Sequence, residues 1–160
     1  MLVVSDASPL NILIRIRYVD ILPVLFGEVI VPPTVVRELS HDDTPKPVHD
    51  WIQASPAWLS VRTPSTLITT LSGGLGEREA ISLAIELKAD LILIDDLKAR
   101  RAAERYGLSV TGALGVLERG AKRGLLSLIE ATERLRRTDF RLSDAVLQEA
   151  LERHAREQGR

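Results

Sequence analysis

The stretch LILIDDLKAR, residues 91–100, decides the fold class of this sequence. Residues 91–94 are all apolar, which is typical of a strand buried on both faces of a parallel sheet. The acidic pair Asp95-Asp96 closes this strand, and an amphipathic pattern then predicts a helix that runs to about Tyr106 and stops at Gly107. A buried strand therefore delivers two carboxylates to its carboxyl end.

The N-terminal stretch MLVVSDASPL repeats this arrangement. Residues 2–4 predict a strand that ends at Ser5 and Asp6, and Ser8 with Pro9 predicts the N-cap and the first residue of the next helix. Sites in open α/β sheets form outside the carboxyl ends of the strands. We therefore expect Asp6 and the acidic pair at 95 and 96 to lie at one edge of the sheet.

Strands and helices alternate along the rest of the sequence. Further strands are predicted at 28–31, 58–61 and 108–110, and further helices at 33–40, 48–52, 76–89, 114–121, 126–135 and 143–156. This alternation favours an α/β fold in which helices cover both faces of a parallel sheet. The last two helices form a helical C-terminal extension.

The composition is that of a single globular domain. The chain has 160 residues, of which 45% are hydrophobic and 27% charged. It contains no cysteine, which excludes disulfide scaffolds, thiolate zinc sites and cysteine nucleophiles. We find neither a basic leader nor an apolar run of about 20 residues, so we expect a cytoplasmic protein with no membrane association. With a net charge of -1, nucleic-acid binding would depend on local basic clusters or on metal.

Several carboxylates could converge at the predicted edge. Glu38 lies on the helix after the second strand, and Glu79 lies at the start of the helix before the strand that ends at Asp95. Carboxylates packed together with Asp6 repel one another, which raises their pKa values unless a cation neutralises them. Mg²⁺ and Mn²⁺ prefer oxygen ligands and can activate water for phosphodiester hydrolysis.

Each acid also has a simpler explanation. Asp6 and the pair at 95 and 96 could cap helices, and Glu38 could be solvated. Glu77 and Glu79 could stabilise the helix dipole. Residues two apart on a helix face different directions, which favours Glu79 over Glu77 as a ligand. Adjacent residues of a strand point to opposite faces, so only one of the pair at 95 and 96 need bind directly, and the sequence leaves open which one.

Four motifs together resemble those of PIN domains, most closely the VapC-like toxins of prokaryotic toxin-antitoxin pairs and their uncharacterised relatives. They are VVSDASPL at 3–10, VVREL at 35–39, GEREAISLA at 76–84 and LILIDDLKAR at 91–100. The resemblance covers about residues 2–125. The sequence departs from the toxins in having glutamate at the third acid and apolar Ile94 just before the fourth.

The resemblance implies a PIN-like three-layer α/β/α fold with a central, mostly parallel sheet. Residues 1–125 would form the nuclease domain, and residues 126–160 its helical extension. It further implies a Mg²⁺- or Mn²⁺-dependent endoribonuclease, the toxin of a toxin-antitoxin pair, that acts as a homodimer bound by a cognate antitoxin. The resemblance maps the catalytic and metal-binding acids onto Asp6, Glu38, Glu79 and either Asp95 or Asp96, with Ser8 in support. Asp95 is taken as the catalytic member of the pair, Asp96 as a further metal ligand and Glu77 as an additional candidate ligand.

Basic residues follow the acidic pair at 95 and 96. Lys98, Arg100 and Arg101 could hold RNA phosphates, although such a run also suits the solvated face of a helix. Aromatic residues make up only 4% of the chain, which gives base stacking little support. The alternative function is a non-catalytic PIN-like module that binds a partner through its C-terminal helices.

Overall fold

The structure, a computed structural model, describes residues 1–159. Its strands are β1 (Val3–Ser5), β2 (Val29–Val31), β3 (Leu59–Val61), β4 (Leu91–Leu93) and β5 (Val110–Thr111). Its helices are α1 (Ala7–Arg15), α2 (Ile21–Phe26), α3 (Pro33–Leu39), α4 (Lys46–Gln53), α5 (Leu75–Glu86), α6 (Leu97–Arg105), α7 (Ala113–Lys122), α8 (Leu128–Arg136) and α9 (Asp144–Gln158). The predicted α/β class is confirmed.

The five strands form one sheet in the order β3-β2-β1-β4-β5, and every pairing in it is parallel. Ser5 at the end of β1 lies opposite Leu93 at the end of β4, and the Asp6 amide donates to the Leu93 carbonyl at 2.9 Å. The strand order reverses between β1 and β4. This is the topological switch point, where α/β sheets bind their ligands, and the acids that follow β1 and β4 lie there.

The central strands are buried because their sequences are apolar on both faces. Every residue of β1, β2 and β4 is buried. Val4, Ile30 and Ile92 from these strands join Ile81 and Leu83 of α5 in one hydrophobic cluster. The sheet is thereby held rigidly beneath the side chains at its carboxyl edge.

Helix α5 ends at Glu86, three residues before its predicted end at 89, because Lys88 takes a φ of 53° that a helix cannot continue. The other predicted boundaries lie within two residues of the observed ones. Helix α1 begins at Ala7 rather than Pro9, because proline is tolerated in a first turn whose amides have no intrahelical partner. Strand β5 begins at Val110 rather than 108, because the Leu108 amide still bonds to the Ala103 carbonyl at the end of α6. Gly107 makes this reversal with a φ of 82°.

The chain divides into two compact units, the first spanning Met1–Ala113 and the second starting at Leu114. In the second unit, Ser127 and Ser143 cap α8 and α9, and Arg153 of α9 pairs with Glu118 of α7 at 2.7 Å. Among the helices of residues 1–159, none has the length and apolar character needed to cross a bilayer. The predicted division into 1–125 and 126–160 stays a prediction.

Candidate active site

Asp6 is the most deeply buried acid at the switch point, with 5% of its surface exposed. It occupies the N-cap position of α1, yet within residues 1–159 its side chain makes no capping bond and its Oδ1 finds no hydrogen-bond partner. Burial raises its pKa from 3.8 to about 7; the charges of Glu77, Glu38 and Asp95 add to this rise, and a hydrogen bond from the Ala7 amide opposes it. Capping therefore does not explain this aspartate.

Asp95 is held by donors on two sides. Its Oδ1 accepts from the Ala113 amide at 2.8 Å, and its Oδ2 accepts from the Ser8 hydroxyl at 3.2 Å. Burial raises the pKa of this carboxyl, while these two bonds and the charge of Arg100 lower it. A Cβ atom at Gly112 would collide with the Asp95 Oδ1, so the carboxylate packs directly on backbone.

Asp96 has different surroundings from its neighbour. It is exposed, occupies the N-cap position of α6 and accepts from the Ala99 amide at 2.9 Å. One of its oxygens thus caps the N-terminus of α6. Asp95, by contrast, lies at the switch point and accepts a hydrogen bond from Ser8. The geometry separates the two acids that the sequence could not.

Glu38 lies near the end of α3 and reaches the start of α5. Its carboxylate accepts a hydrogen bond from the Gly76 amide, and a Cβ at Gly76 would collide with its Oε1. Burial raises the pKa of Glu38, as do the charges of Glu77 and Glu79, and the Gly76 amide lowers it. Glycine at 76 is what lets this carboxylate approach the helix.

Glu77 and Glu79 both contribute charge to this region. The Glu77 Oε1 accepts from the Gly74 amide at 3.1 Å, as the predicted dipole role suggests, yet its charge also acts on Asp6 and on Glu38. Glu79 acts on Glu38, and its Oε2 is buried without a partner among the described residues. The helical spacing therefore does not separate the two, because Glu77 lies in the first turn of α5 and reaches back over its N-terminus.

We call the carboxylates of Asp6, Glu38, Glu77, Glu79 and Asp95 the acidic edge. Its oxygens suit a hard divalent cation, and the unpartnered oxygens of Asp6 and Glu79 are the kind of buried group that an ion compensates. Across residues 1–159, however, no group of three or more Asp, Glu, His or Cys side chains is arranged to hold a metal ion. The donors fit in chemistry and location, and they do not form a finished ligand cage.

The three predicted RNA-binding cations lie in different places. Arg100 is partly buried and acts electrostatically on Asp95. Lys98 and Arg101 are exposed on α6. Arg100 therefore belongs to the surroundings of the acidic edge rather than to a solvated helix face.

The backbone groups that hold the acids in place are not predicted from the sequence. Gly76 and the Gly112–Ala113 segment hold Glu38 and Asp95 by amide donors and by the absence of a side chain. A glycine directly after a strand or inside the first turn of a helix often marks such a close approach. This signal stands in the sequence at both positions.

The fold and the site define this chain as an α/β protein with a parallel sheet and a cluster of acids at its switch point. The family model DUF3368, described as a PIN domain, matches residues 2–156. In structure, the chain is similar to a PilT N-terminus domain protein, SSO1118, from the hyperthermophilic archaeon Sulfolobus solfataricus P2. That likeness has a TM-score of 0.52 and 17% identity over 72% of this chain and 90% of the other. No curated protein matches.

The chain belongs to the PIN-domain family, so the family inferred from the four motifs is confirmed. The structural likeness supports the PIN-like fold. PIN domains are generally nucleases that use divalent metal ions.

Proposed function

We propose that this protein is a divalent-metal-dependent endoribonuclease that hydrolyses phosphodiester bonds in RNA. The observation that carries the proposal is Asp6, whose buried Oδ1 lacks a donor while the charges of Glu38, Glu77 and Asp95 act on it. Such a charge cluster is unfavourable unless a cation enters it. Membership in a family of nucleases supports the same function.

The residues of the acidic edge would have different roles in catalysis. Asp6 and Glu79, whose buried oxygens lack donors, would bind Mg²⁺ or Mn²⁺ together with Asp95. The bound ion would activate water and stabilise the leaving oxygen. Ser8 and the Ala113 amide orient Asp95.

The two remaining members of the site would act at its rim. Glu38, whose pKa is raised, would accept a proton from the attacking water. Glu77 would add negative charge to the site, which would strengthen the attraction of a cation. Asp96 would serve as a helix cap first and as a metal ligand only if its side chain left the Ala99 amide.

The biological setting belongs to the same proposal. The four motifs support a cytoplasmic toxin that acts as a homodimer and is bound by a cognate antitoxin. Growth arrest on expression of the chain, absent for Asp6→Asn, would support the toxin. Unchanged growth with soluble wild-type protein would contradict it.

A second candidate is a non-catalytic PIN-like module. It is favoured by the lack, within residues 1–159, of any acidic group already arranged to hold metal. The large apolar side chains Ile129 and Val146, exposed on α8 and α9, would then contribute to a partner surface.

The test is RNA cleavage by the purified chain. Structured and single-stranded RNAs are incubated with Mg²⁺, with Mn²⁺ or with chelator, using wild type, Asp6→Asn and the control Asp42→Asn, which removes an exposed loop charge. We expect cleavage by wild type and Asp42→Asn with metal, and a loss of at least about a hundredfold for Asp6→Asn. Cleavage that persists in chelator or in Asp6→Asn would contradict the proposal.

A further inference from the structure

A cleft of about 390 Å³ lies in the first unit, between the segment that precedes α5 and one face of α6. Its polar lining residues are Thr70, Ser72, Lys98, Arg105 and Tyr106, and the apolar Leu71 and Ala102 complete the lining. The volume falls within the range of about 300–1,000 Å³ that is usual for ligand sites. We call it the basic cleft, because its two charged residues are both cations.

One wall of the basic cleft is a face of α6. Lys98, Ala102 and Arg105 recur at intervals of four and three residues, so they share that face. The two cations are separated by about 10 Å along the helix axis. Lys98 follows Asp95 by only three residues, so this row of positive charge starts beside the acidic edge and leads away from it.

The opposite wall is a loop that is fixed at several points. The Ile68 amide donates to the Ser82 hydroxyl at 3.0 Å, Leu71 is buried in the core, and the Gly74 amide donates to Glu77 of the acidic edge. The loop that supplies Thr70 and Ser72 is therefore continuous with a residue of the acidic edge. Both walls of the basic cleft lead to the proposed site of hydrolysis.

Tyr106 lines the basic cleft where α6 ends. Its hydroxyl is hydrogen-bonded to the Thr70 hydroxyl at 3.2 Å, which joins the two walls and restricts the ring. The side chain is still 45% exposed. An oriented, half-exposed ring beside two cations offers a base a stacking surface next to phosphate ligands.

We propose that the basic cleft binds the single-stranded RNA that flanks the cleaved bond, a role that depends on the nuclease function proposed above. Lys98 and Arg105 bind phosphates, and the Tyr106 ring stacks on one base. RNA is favoured over other anions because the cleft pairs cations with a restrained aromatic ring. With a net charge of -1, RNA binding depends on such a local basic site or on metal rather than on the overall charge of the chain.

The first test measures binding without cleavage. A fluorescently labelled single-stranded RNA of about ten nucleotides is titrated into Asp6→Asn protein, with and without Lys98→Gln/Arg105→Gln. The matched control is Arg141→Gln/Arg156→Gln, which removes two exposed cations from the second unit. We expect at least tenfold weaker binding for the cleft variant, with a slope of log K against log salt smaller by about 1.4. Equal affinity for the cleft and control variants would overturn the proposal.

Two substitutions of Tyr106 distinguish the contribution of base stacking to RNA binding from that of charge. Tyr106→Ala should weaken RNA binding about tenfold with an unchanged salt slope, whereas Tyr106→Phe keeps the ring and should bind as the parent does. An equal loss in both variants would contradict stacking. Competition by poly-glutamate as effective as that by RNA would identify a general anion site and would also contradict the proposal.

Cleavage kinetics distinguish this proposal from the nuclease proposal. If wild type cuts RNA and the cleft variant cuts it with an unchanged KM, the basic cleft is refuted and the nuclease stands. If wild type never cuts RNA but RNA binding needs Lys98 and Arg105, the nuclease is refuted and the RNA site stands. Melting curves of each variant establish that these exposed substitutions leave the fold intact.

Discussion

Carboxylates in two regions of this molecule differ in whether a donor neutralises them. In the helical second unit, glutamates pair with arginines: Glu130 with Arg134 at 2.6 Å, and Glu133 with Arg136 at 2.7 Å. At the acidic edge of the first unit, buried oxygens of Asp6 and Glu79 have no donor within residues 1–159.

The difference separates a structural from a functional use of acidic residues. Exposed ion pairs contribute little to stability, and they can be lost without consequence for chemistry. Buried carboxylates without donors destabilise the protein until something neutralises them. Substituting an acid of the acidic edge should therefore change metal binding and the pH dependence of stability. Substituting a paired glutamate of the second unit should change neither by much.

The largest expected effect is on the pH dependence of stability in chelator. The Asp6 pKa is raised from 3.8 to about 7 on folding, so the protonated form is favoured in the folded state. The stability this provides is full below about pH 4 and is lost as the pH rises through 7. Asp6→Asn keeps a neutral side chain at every pH and should exceed wild type by as much as about 4 kcal/mol in free energy of unfolding at pH 8.

The measurement is urea unfolding at pH 5, 7 and 8.5. The gap between Asp6→Asn and wild type should widen with pH, while Glu133→Gln, from the second unit, should change stability by less than about 1 kcal/mol at each pH. A gap that is constant with pH would contradict the raised pKa.

Substitution of the close-packed glycines should have the next largest effect. Gly76→Ala and Gly112→Ala place a methyl group against Glu38 and Asp95, which must move. We expect Gly112→Ala to lose about ten- to a hundredfold in Mn²⁺ affinity, and both variants to lose a comparable factor in RNA cleavage. Gly159→Ala is the matched control, because its Cβ would make only ordinary contacts. Wild-type metal affinity in Gly112→Ala together with wild-type cleavage in both variants would contradict a role for these close contacts.

The smallest expected effect is that of the serine hydroxyls. Ser8→Ala removes one hydrogen bond to Asp95 and should reduce cleavage about two- to tenfold with little loss of stability. Ser127→Ala removes the cap of α8 and should lower stability by about 1 kcal/mol while leaving cleavage unchanged. Measuring the rate and the melting temperature of both variants checks the contrast, and a reversed pattern would contradict it.

The sequence predicts most of the fold because apolar runs and their stops are local signals. The strand ends alone predict the edge at which the acids after β1 and β4 lie, and these acids follow paired strand ends in the structure. Helix α2 at Ile21–Phe26 is not among the predicted helices, because six residues hold too little periodicity to identify a helix. The start of β5 was misplaced because a bond to Ala103 extends the end of α6.

The site was less accessible to prediction because its details depend on tertiary contacts. Choosing between Asp95 and Asp96 requires knowing which of them caps α6. The roles of Gly76 and Gly112 depend on carboxylates that approach from residues 38 and 95, far away in the chain. The assignment of metal ligands stays a prediction.

The most direct test of the account is calorimetric titration of Mn²⁺ into wild type, Asp6→Asn and Glu133→Gln at pH 7.5. If the acidic edge binds a divalent cation through Asp6, wild type and Glu133→Gln will give the same saturable heat. Asp6→Asn will then give none, or bind at least about tenfold more weakly. Absence of heat in wild type, or equal binding by Asp6→Asn, would contradict the central claim.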